Sequence, residues 1–388
     1  MPIPLSYNIR NLMVRRTTTV LTALGIGLTV AVLVGALAMM EGLHASLVSS
    51  AHPLHILVMR NGSTSELVST ISRSAFQRLK ALPGIALAPN GEPLASLEVV
   101  TVIMLKSAAA PDGMNVTLRG LTPAGFSMRE HVRIAEGRLF SPGRRELVVG
   151  KSIAGRYPAA KVGSRLHFGR GDWEVVGVAD GGHSASNSEI FADLNQVASD
   201  YNRTEVLSSA LVRAADPASM RALINSIGGE RELNAKVQTE SDYFDSQTVS
   251  ALPVQYMATV IAIVMAIGSG FAAMATMYAS VARRSAEIGT LRVLGFSRGR
   301  VLLSFLIESL LISALGGAIG CLLAFPLTFL RTGIGNMITF SEIVFDLRVT
   351  PAIAAEGMIF ALLMGTIGGL LPARAAARKE ILAALRGE

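Results

Sequence analysis

The chain has 388 residues, is 51% apolar and only 5% aromatic, and carries 35 Lys and Arg against 28 Asp and Glu, a net charge of +7. Its composition excludes an ordinary soluble protein, because four stretches of 24 to 37 residues hold at most one charge each. About 20 such residues span the hydrocarbon core as a helix. Nucleic-acid binding is excluded by where the charge lies: residues 41–252 hold 21 basic and 21 acidic residues, and the excess sits beside the apolar runs.

In chain order, LSYNIRNLMVRR (residues 5–16) places Leu5, Ile9 and Leu12/Met13 on one helical face and Arg10, Arg15 and Arg16 elsewhere. Residues 1–16 are therefore expected to form a short amphipathic helix lying in the cytoplasmic interface. Residues 17–40, TTTVLTALGIGLTVAVLVGALAMM, read as the first span, with Gly25 and Gly27 available for close packing. A basic start and Ala36-Leu37-Ala38 resemble a signal peptide, but the apolar core exceeds the 7–15 residues of such a segment.

Residues 41–252 are expected to form an outer α/β domain. Segments 55–60, 97–105, 115–119, 146–149, 165–168, 173–179 and 206–213 are rich in β-branched residues and bounded by Gly, Pro or Asn, which predicts strands. Helices are predicted at 65–81, capped by Thr64 or Ser65, and at 217–228, capped by Asp216 with Pro217 in the first turn. The strands between about 97 and 190 read as a β-rich insertion. Cys321 is the single cysteine, so no internal disulfide braces the domain. VVGKS at 148–152 lacks the glycine a phosphate-binding loop needs, since position 145 is Arg, and reads as a strand followed by a turn. His52 and His55 read as strand-edge residues, and His183 as part of a polar loop.

Residues 253–282 read as the second span, 301–330 as the third and 351–373 as the fourth, with a short outer loop at 331–350 and a tail at 374–388. Arginines cluster before the first span (10, 15 and 16), between the second and third (283, 284, 292, 298 and 300) and after the fourth. Positive charge marks the cytoplasmic side, which puts both termini inside and 41–252 outside. In the last two spans, Gly316, Gly320, Gly365 and Gly369 offer packing or dimerisation faces. Glu308, about eight residues into the third span, needs a buried partner or a helix-end contact.

The connector at 283–300 is too long for a turn. Placed on a helix, Val281, Ile288, Leu291 and Leu294 form an apolar stripe, Arg283 pairs with Glu287, Gly295 ends the helix and Ser297 caps the next. Physics alone leaves two readings open: a lipid-bound connector, or a docking element for a cytoplasmic partner.

ARRSAEIGTLRVLGFSRGRVLLSFLIESLLISALGGAIG (282–320) resembles the signature of the MacB/LolC/FtsX-like ABC transporter permeases. GTIGGLLPARAAARKEILAALR (365–386), NIRNLMVRRTTTVLTALGIGLTVAV (8–32) and the outer EGRLFSPGRRELVVGKSIA (136–154) resemble further parts of the same family. Leu291-Arg292-Val293 departs from the commoner Arg-Lys-Ala type. The resemblance implies four transmembrane helices plus a large extracytoplasmic α/β domain with a β-rich subdomain, in a bacterial inner membrane. It implies a second permease copy, a homodimer or related heterodimer, and two copies of a cytoplasmic ATPase that binds ATP and Mg; the chain itself is expected to hold no cofactor, no metal and no ATPase of its own. It further implies that Arg284, Glu287, Ile288, Gly289, Leu291, Arg292, Leu294 and Gly295 form a coupling helix, with Ile288, Leu291 and Leu294 as its apolar seat. ATP-driven closure would then move the outer domains to export or extract a hydrophobic molecule, lipid or lipoprotein, with a periplasmic adaptor as a further partner. The same stroke could instead signal to cell-wall hydrolases. A secondary transporter would show inverted repeats and midplane polar residues, and neither is visible.

Overall fold

A run with no charge and little backbone competition can satisfy its peptide groups in lipid only by bonding to itself, and the spans fold accordingly. The computed structural model describes residues 5–107, 110–230, 232–249, 252–336 and 338–378. The basic tail beyond Arg378, with Lys379 and Arg386, lies outside them, as does the side chain of Leu5. The chain divides into two compact units, one made of 42–252 and 331–346 and the other of the remaining segments. It begins with α1 (Leu5–Val14) and α2 (Arg16–Val48).

The first unit holds β1 (His55–Arg60), β2 (Ile71–Ser72), β3 (Ala95–Ser107), β4 (Ala110–Leu121), β5 (Arg133–Gly137), β6 (Glu146–Gly150), β7 (Arg165–Phe168), β8 (Gly171–Asp180), β9 (Glu189–Asp193), β10 (Val206–Leu207), β11 (Ser209–Arg213) and β12 (Ala235–Thr239). Its helices are α3 (Arg73–Lys80), α4 (Pro123–Ser127), α5 (Lys151–Arg156), α6 (Leu194–Asp200), α7 (Pro217–Gly229) and α8 (Glu240–Thr248). Among the described residues, a mixed sheet runs β12-β1-β11-β3-β4-β9-β6-β8-β5, with β7 paired to β8. The β-rich segment thus continues the same sheet. Alternation puts Ile56 and Val58 in the larger core with Leu97, Leu118 and Trp173, and Leu57 and Met59 on the opposite face with Leu211 and Tyr243. Sheet faces covered on both sides read as continuous apolar runs such as HILVM.

Two local readings change. Residues 65–81 do not form one helix: a 3-10 turn at Glu66–Val68 and strand β2 precede α3, whose cap is Ser72, accepting from the Ala75 N–H at 3.1 Å. The Ser/Thr-rich VSTIS offers the backbone side-chain partners that compete with a helix. His55 is not at an exposed strand edge; it is buried, with Nδ1 2.8 Å from Glu240. Asp216 caps α7 through the Ala218 and Ser219 N–H groups. VVGKS is strand β6 running into helix α5, and a side chain at Gly150 would collide with the Asn187 carbonyl.

The second unit contains α9 (Leu252–Arg283), α10 (Ser285–Val293), α11 (Arg298–Ala324) and α12 (Pro351–Arg378). Among the described residues, four helical segments, Arg16–Val48, Leu252–Arg283, Arg298–Phe329 and Pro351–Arg378, are long and apolar enough to cross a membrane. Between α11 and α12 the segment read as a loop forms a hairpin, β13 (Arg331–Gly335) and β14 (Glu342–Asp346). That hairpin belongs to the first unit. Ser341 accepts from Thr117 at 2.9 Å, Val344 N–H donates to Ser188 at 2.8 Å, and buried Glu342 accepts from Arg156 at 2.5 Å and Tyr157 at 3.2 Å.

Candidate functional site

Helix α9 ends at Arg283, and Arg284 breaks the helical path at φ −104°, ψ 21° before α10 begins. The buried face nevertheless continues across this break, through Val281, Arg284, Ser285, Ile288 and Gly289. Glu287 pairs with Arg284 at 3.0 Å, a spacing of three, and not with Arg283 at a spacing of four, both of which helix geometry allows. The far end of α10 closes with Gly295 at φ +90°, where Gly295 N–H bonds to Arg292 carbonyl and Phe296 N–H to Leu291 carbonyl. That pair of bonds is a Schellman end, which only glycine forms without strain. Ser297 occupies the N-cap position of α11, but its side chain makes no capping bond.

The apolar stripe divides. Val281 and Ile288 are buried in the core of the spans with Val301, Phe305 and Ala373, and Gly289 is buried as well. Leu291 and Arg292 are half-buried, whereas Val293 and Leu294 are 62% and 70% exposed. Ile288 is thus unavailable to a partner. The exposed face of α10 consists of Ala286, Glu287, Thr290 and Val293, followed by Leu294. Thr290 and Val293 were not singled out from the sequence, although Thr290 lies three residues from Glu287 and Val293 three from Thr290, along the exposed side of the helix.

Arg284, only 5% exposed, is the hub of the site. Its Nη1 lies 2.8 Å from Glu308 of α11, its Nε bonds to Glu287, and its Nη2 donates to the Tyr7 hydroxyl at 2.9 Å. Tyr7 in turn donates to Glu287 at 3.1 Å. The guanidinium also stands 5.3 Å from the Tyr7 ring centre and 5.0 Å from that of Phe305. Ser304 donates to Asn8 at 2.7 Å, and Arg15 donates to Ser280 at 2.5 Å. These contacts tie α1, the α9–α10 junction and α11 together. They supply the buried partner that Glu308 requires.

Small residues bring the spans into contact. A side chain at Gly320 would stand 2.6 Å from the Gly27 carbonyl, and one at Gly316 2.8 Å from the Ala23 carbonyl. Gly365 and Gly369 face Ser313 and Ser309, and Ser309 donates to the Gly365 carbonyl at 2.6 Å. Gly25 has open space around it.

Within the first unit a second buried network centres on Arg119, which bonds Glu66, Glu98 and Glu189 at 2.8 to 2.9 Å, while Arg129 shares Glu98. Burial opposes ionisation of Glu98, yet Arg129 and Arg119 overcome it and hold its carboxyl down at about 2. No resemblance pointed to this cluster. His183 of the polar loop meets Asp346 of the hairpin at 2.8 Å, and Lys151 meets Asp180 at 2.5 Å.

Comparison with known proteins gives two family matches: the MacB-like periplasmic core domain over residues 19–229 and the FtsX-like permease C-terminal region over 259–381. A macrolide export ATP-binding/permease protein MacB of Hahella chejuensis is 26% identical over 96% of this chain, which spans 58% of that relative's length. An uncharacterized ABC transporter permease YknZ of Bacillus subtilis is 25% identical over 82% of this chain and 80% of its own. The solved periplasmic region of MacB from Actinobacillus actinomycetemcomitans aligns with 50% of this chain and 92% of its own, at 12% identity and a TM-score of 0.38.

Proposed function

From the chain's membership of the MacB-like, FtsX-like family of ABC transporter permeases, we propose that it is the subunit through which ATP hydrolysis by a cytoplasmic partner moves an outer domain. The clasp at Arg284 carries this reading. A docked ATPase would press on Glu287, Thr290, Val293 and Leu294, the exposed face of α10. Because Arg284 is buried and bonded on three sides, α10 cannot shift without pulling Glu308 in α11 and Tyr7 in α1. Removing one partner of a buried pair typically costs about 3–5 kcal/mol, so the clasp resists being torn and transmits displacement. The shift would reach α2 through α1, and α11 would pass it to the hairpin Arg331–Asp346.

ATP and Mg would be held by the ATPase, two copies of which would serve two permease copies. Both termini would be cytoplasmic and the outer domain periplasmic, as the arginine distribution supports. The hydrophobic character of the spans and the macrolide-export name of one relative support an exported or extracted hydrophobic molecule, lipid or lipoprotein as cargo, with a periplasmic adaptor beside it. A regulator of cell-wall hydrolases would use the same clasp for signalling. The mixed α/β outer domain of 42–252 favours transport. Affinity-tagged full chain purified from membranes tests the reading: an ABC ATPase should accompany the unaltered protein and be lost with Leu294→Asp, and retention by that variant would refute α10 as the docking element.

A further inference from the structure

A cleft of about 620 Å³ opens in the outer unit, inside the 300–1,000 Å³ range of small-molecule sites. Along one wall, α3 presents Arg73, Phe76, Gln77 and Lys80, spaced as one helical face. Leu94 and Leu97 form an apolar floor, and Pro123 and Ala124 of α4 stand opposite. Phe76 and Leu97 are buried yet line open space.

The two ends differ in charge. At one, Arg73 is held in plane by bonds from Nε to the Thr204 carbonyl at 2.5 Å and from Nη2 to Asn195 at 2.9 Å, which leaves Nη1 as a donor. Seven residues on, about 10 Å along the helix, Lys80 is neutralised by Glu92 at 2.9 Å. The lining backbone is already engaged: Ala88 N–H bonds to Glu92 carbonyl, Leu94 N–H to Ala86 carbonyl, and the start of β3 pairs with β11. Recognition therefore falls to side chains, which suits a small molecule and not an added strand.

We propose that this cleft binds an anionic amphiphile, its charged head at Arg73 and an apolar body of about 10 Å along Phe76, Leu94 and Leu97. The site lies wholly within the outer unit and does not depend on the coupling assigned to α10.

Trp173, the single tryptophan, supplies a reporter. Its indole N–H donates to Asp200 at 3.2 Å, the last residue of α6, and Leu194 at the other end of that helix lines the cleft. Cleft and indole are thus separated by roughly the 9 Å length of α6. The test uses the full chain in a tryptophan-free amphipathic polymer, titrated with 1-anilinonaphthalene-8-sulfonate and, separately, with uncharged N-phenyl-1-naphthylamine. Saturable energy transfer from Trp173 to both probes is expected. Ala124→Tyr, at an exposed position, should abolish it by filling the cleft. Arg73→Gln should weaken the sulfonate about tenfold, the scale of one charge-assisted bond, and leave the uncharged probe unchanged. Transfer that does not saturate, or that survives Ala124→Tyr, overturns the site. Equal effects of Arg73→Gln on both probes overturn the anionic assignment.

Discussion

Arg284 Nη1 stands 2.8 Å from Glu308 Oε2, both side chains buried, and joins the start of the α9–α10 connector to the interior of α11. Neither charge has water to fall back on, so each depends on the other. Glu308→Ala should leave Arg284 an uncompensated buried cation and destabilise the protein by about 3–5 kcal/mol. Thermal unfolding of the purified full chain measures this. A combined Arg284→Met, Glu308→Leu variant should recover much of the loss; if it is as unstable as Glu308→Ala, the pair is not the source of the cost.

Gly320 and Gly25 make opposite predictions. A Cβ at Gly320 would meet the Gly27 carbonyl and Val30, whereas one at Gly25 meets nothing within 4 Å. Gly320→Val should therefore lower the melting temperature and folded yield, with an overpacking cost of about 1–3 kcal/mol, and Gly25→Ala should be silent. Size-exclusion profiles after heating distinguish the two.

Acid should act on the unit of residues 42–252 and 331–346 through Glu98 and Glu146. Glu146 is held down at about 2 by hydrogen bonds from Arg138 and the Ser141 N–H, and Glu98 reaches about 2 despite its burial. Both values lie below the unfolded one, 4.5. Their stabilisation is complete above about pH 4.5 and is lost as pH falls towards 2. Burial holds His52 and His131 below 6.5, so Trp173 emission should show the urea midpoint of this unit declining mildly as pH falls through about 6.5 and steeply below about 4.5. A midpoint independent of pH between 5 and 3 would contradict the sign.

The hairpin bond from Arg156 to Glu342 predicts a local effect. Glu342→Gln should weaken the contacts at Arg156 and Tyr157 and raise hydrogen exchange in 331–346, with α9 unchanged. Unchanged exchange in the hairpin would show that Thr117 and Ser188 alone hold it.

Much of the architecture was legible because lipid imposes a simple rule on uncharged runs, and because strands such as HILVMR carry β-branched residues between clear breakers. Glu308 was legible as a misfit in an apolar helix. Its partner was not, because Arg284 lies 24 residues away on a neighbouring element, a tertiary contact that no local pattern in VARRSAEIG announces. Ile288 turned inward while Leu294, six residues on and at the C-cap of α10, faces out. Tyr7 was missed because its role depends on α1 lying beside α11, a tertiary relation. The hairpin was overlooked although SEIVFD holds three consecutive strand-forming residues, Ile343, Val344 and Phe345, since two glycines in RTGIG weaken a strand pattern.

The central claim is that the clasp carries the stroke, and distance between outer domains tests it. Arg221, exposed on α7, is replaced by cysteine in a Cys321→Ala background and spin-labelled, and the distance between two copies in the ATPase-bound complex is compared with and without ATP and vanadate. Nucleotide should shift the distance in this reference protein. Tyr7→Phe, which keeps the ring but loses the bonds to Arg284 and Glu287, should reduce the shift, and Arg284→Ala should abolish it while ATP hydrolysis continues. An undiminished shift in Arg284→Ala would contradict the account.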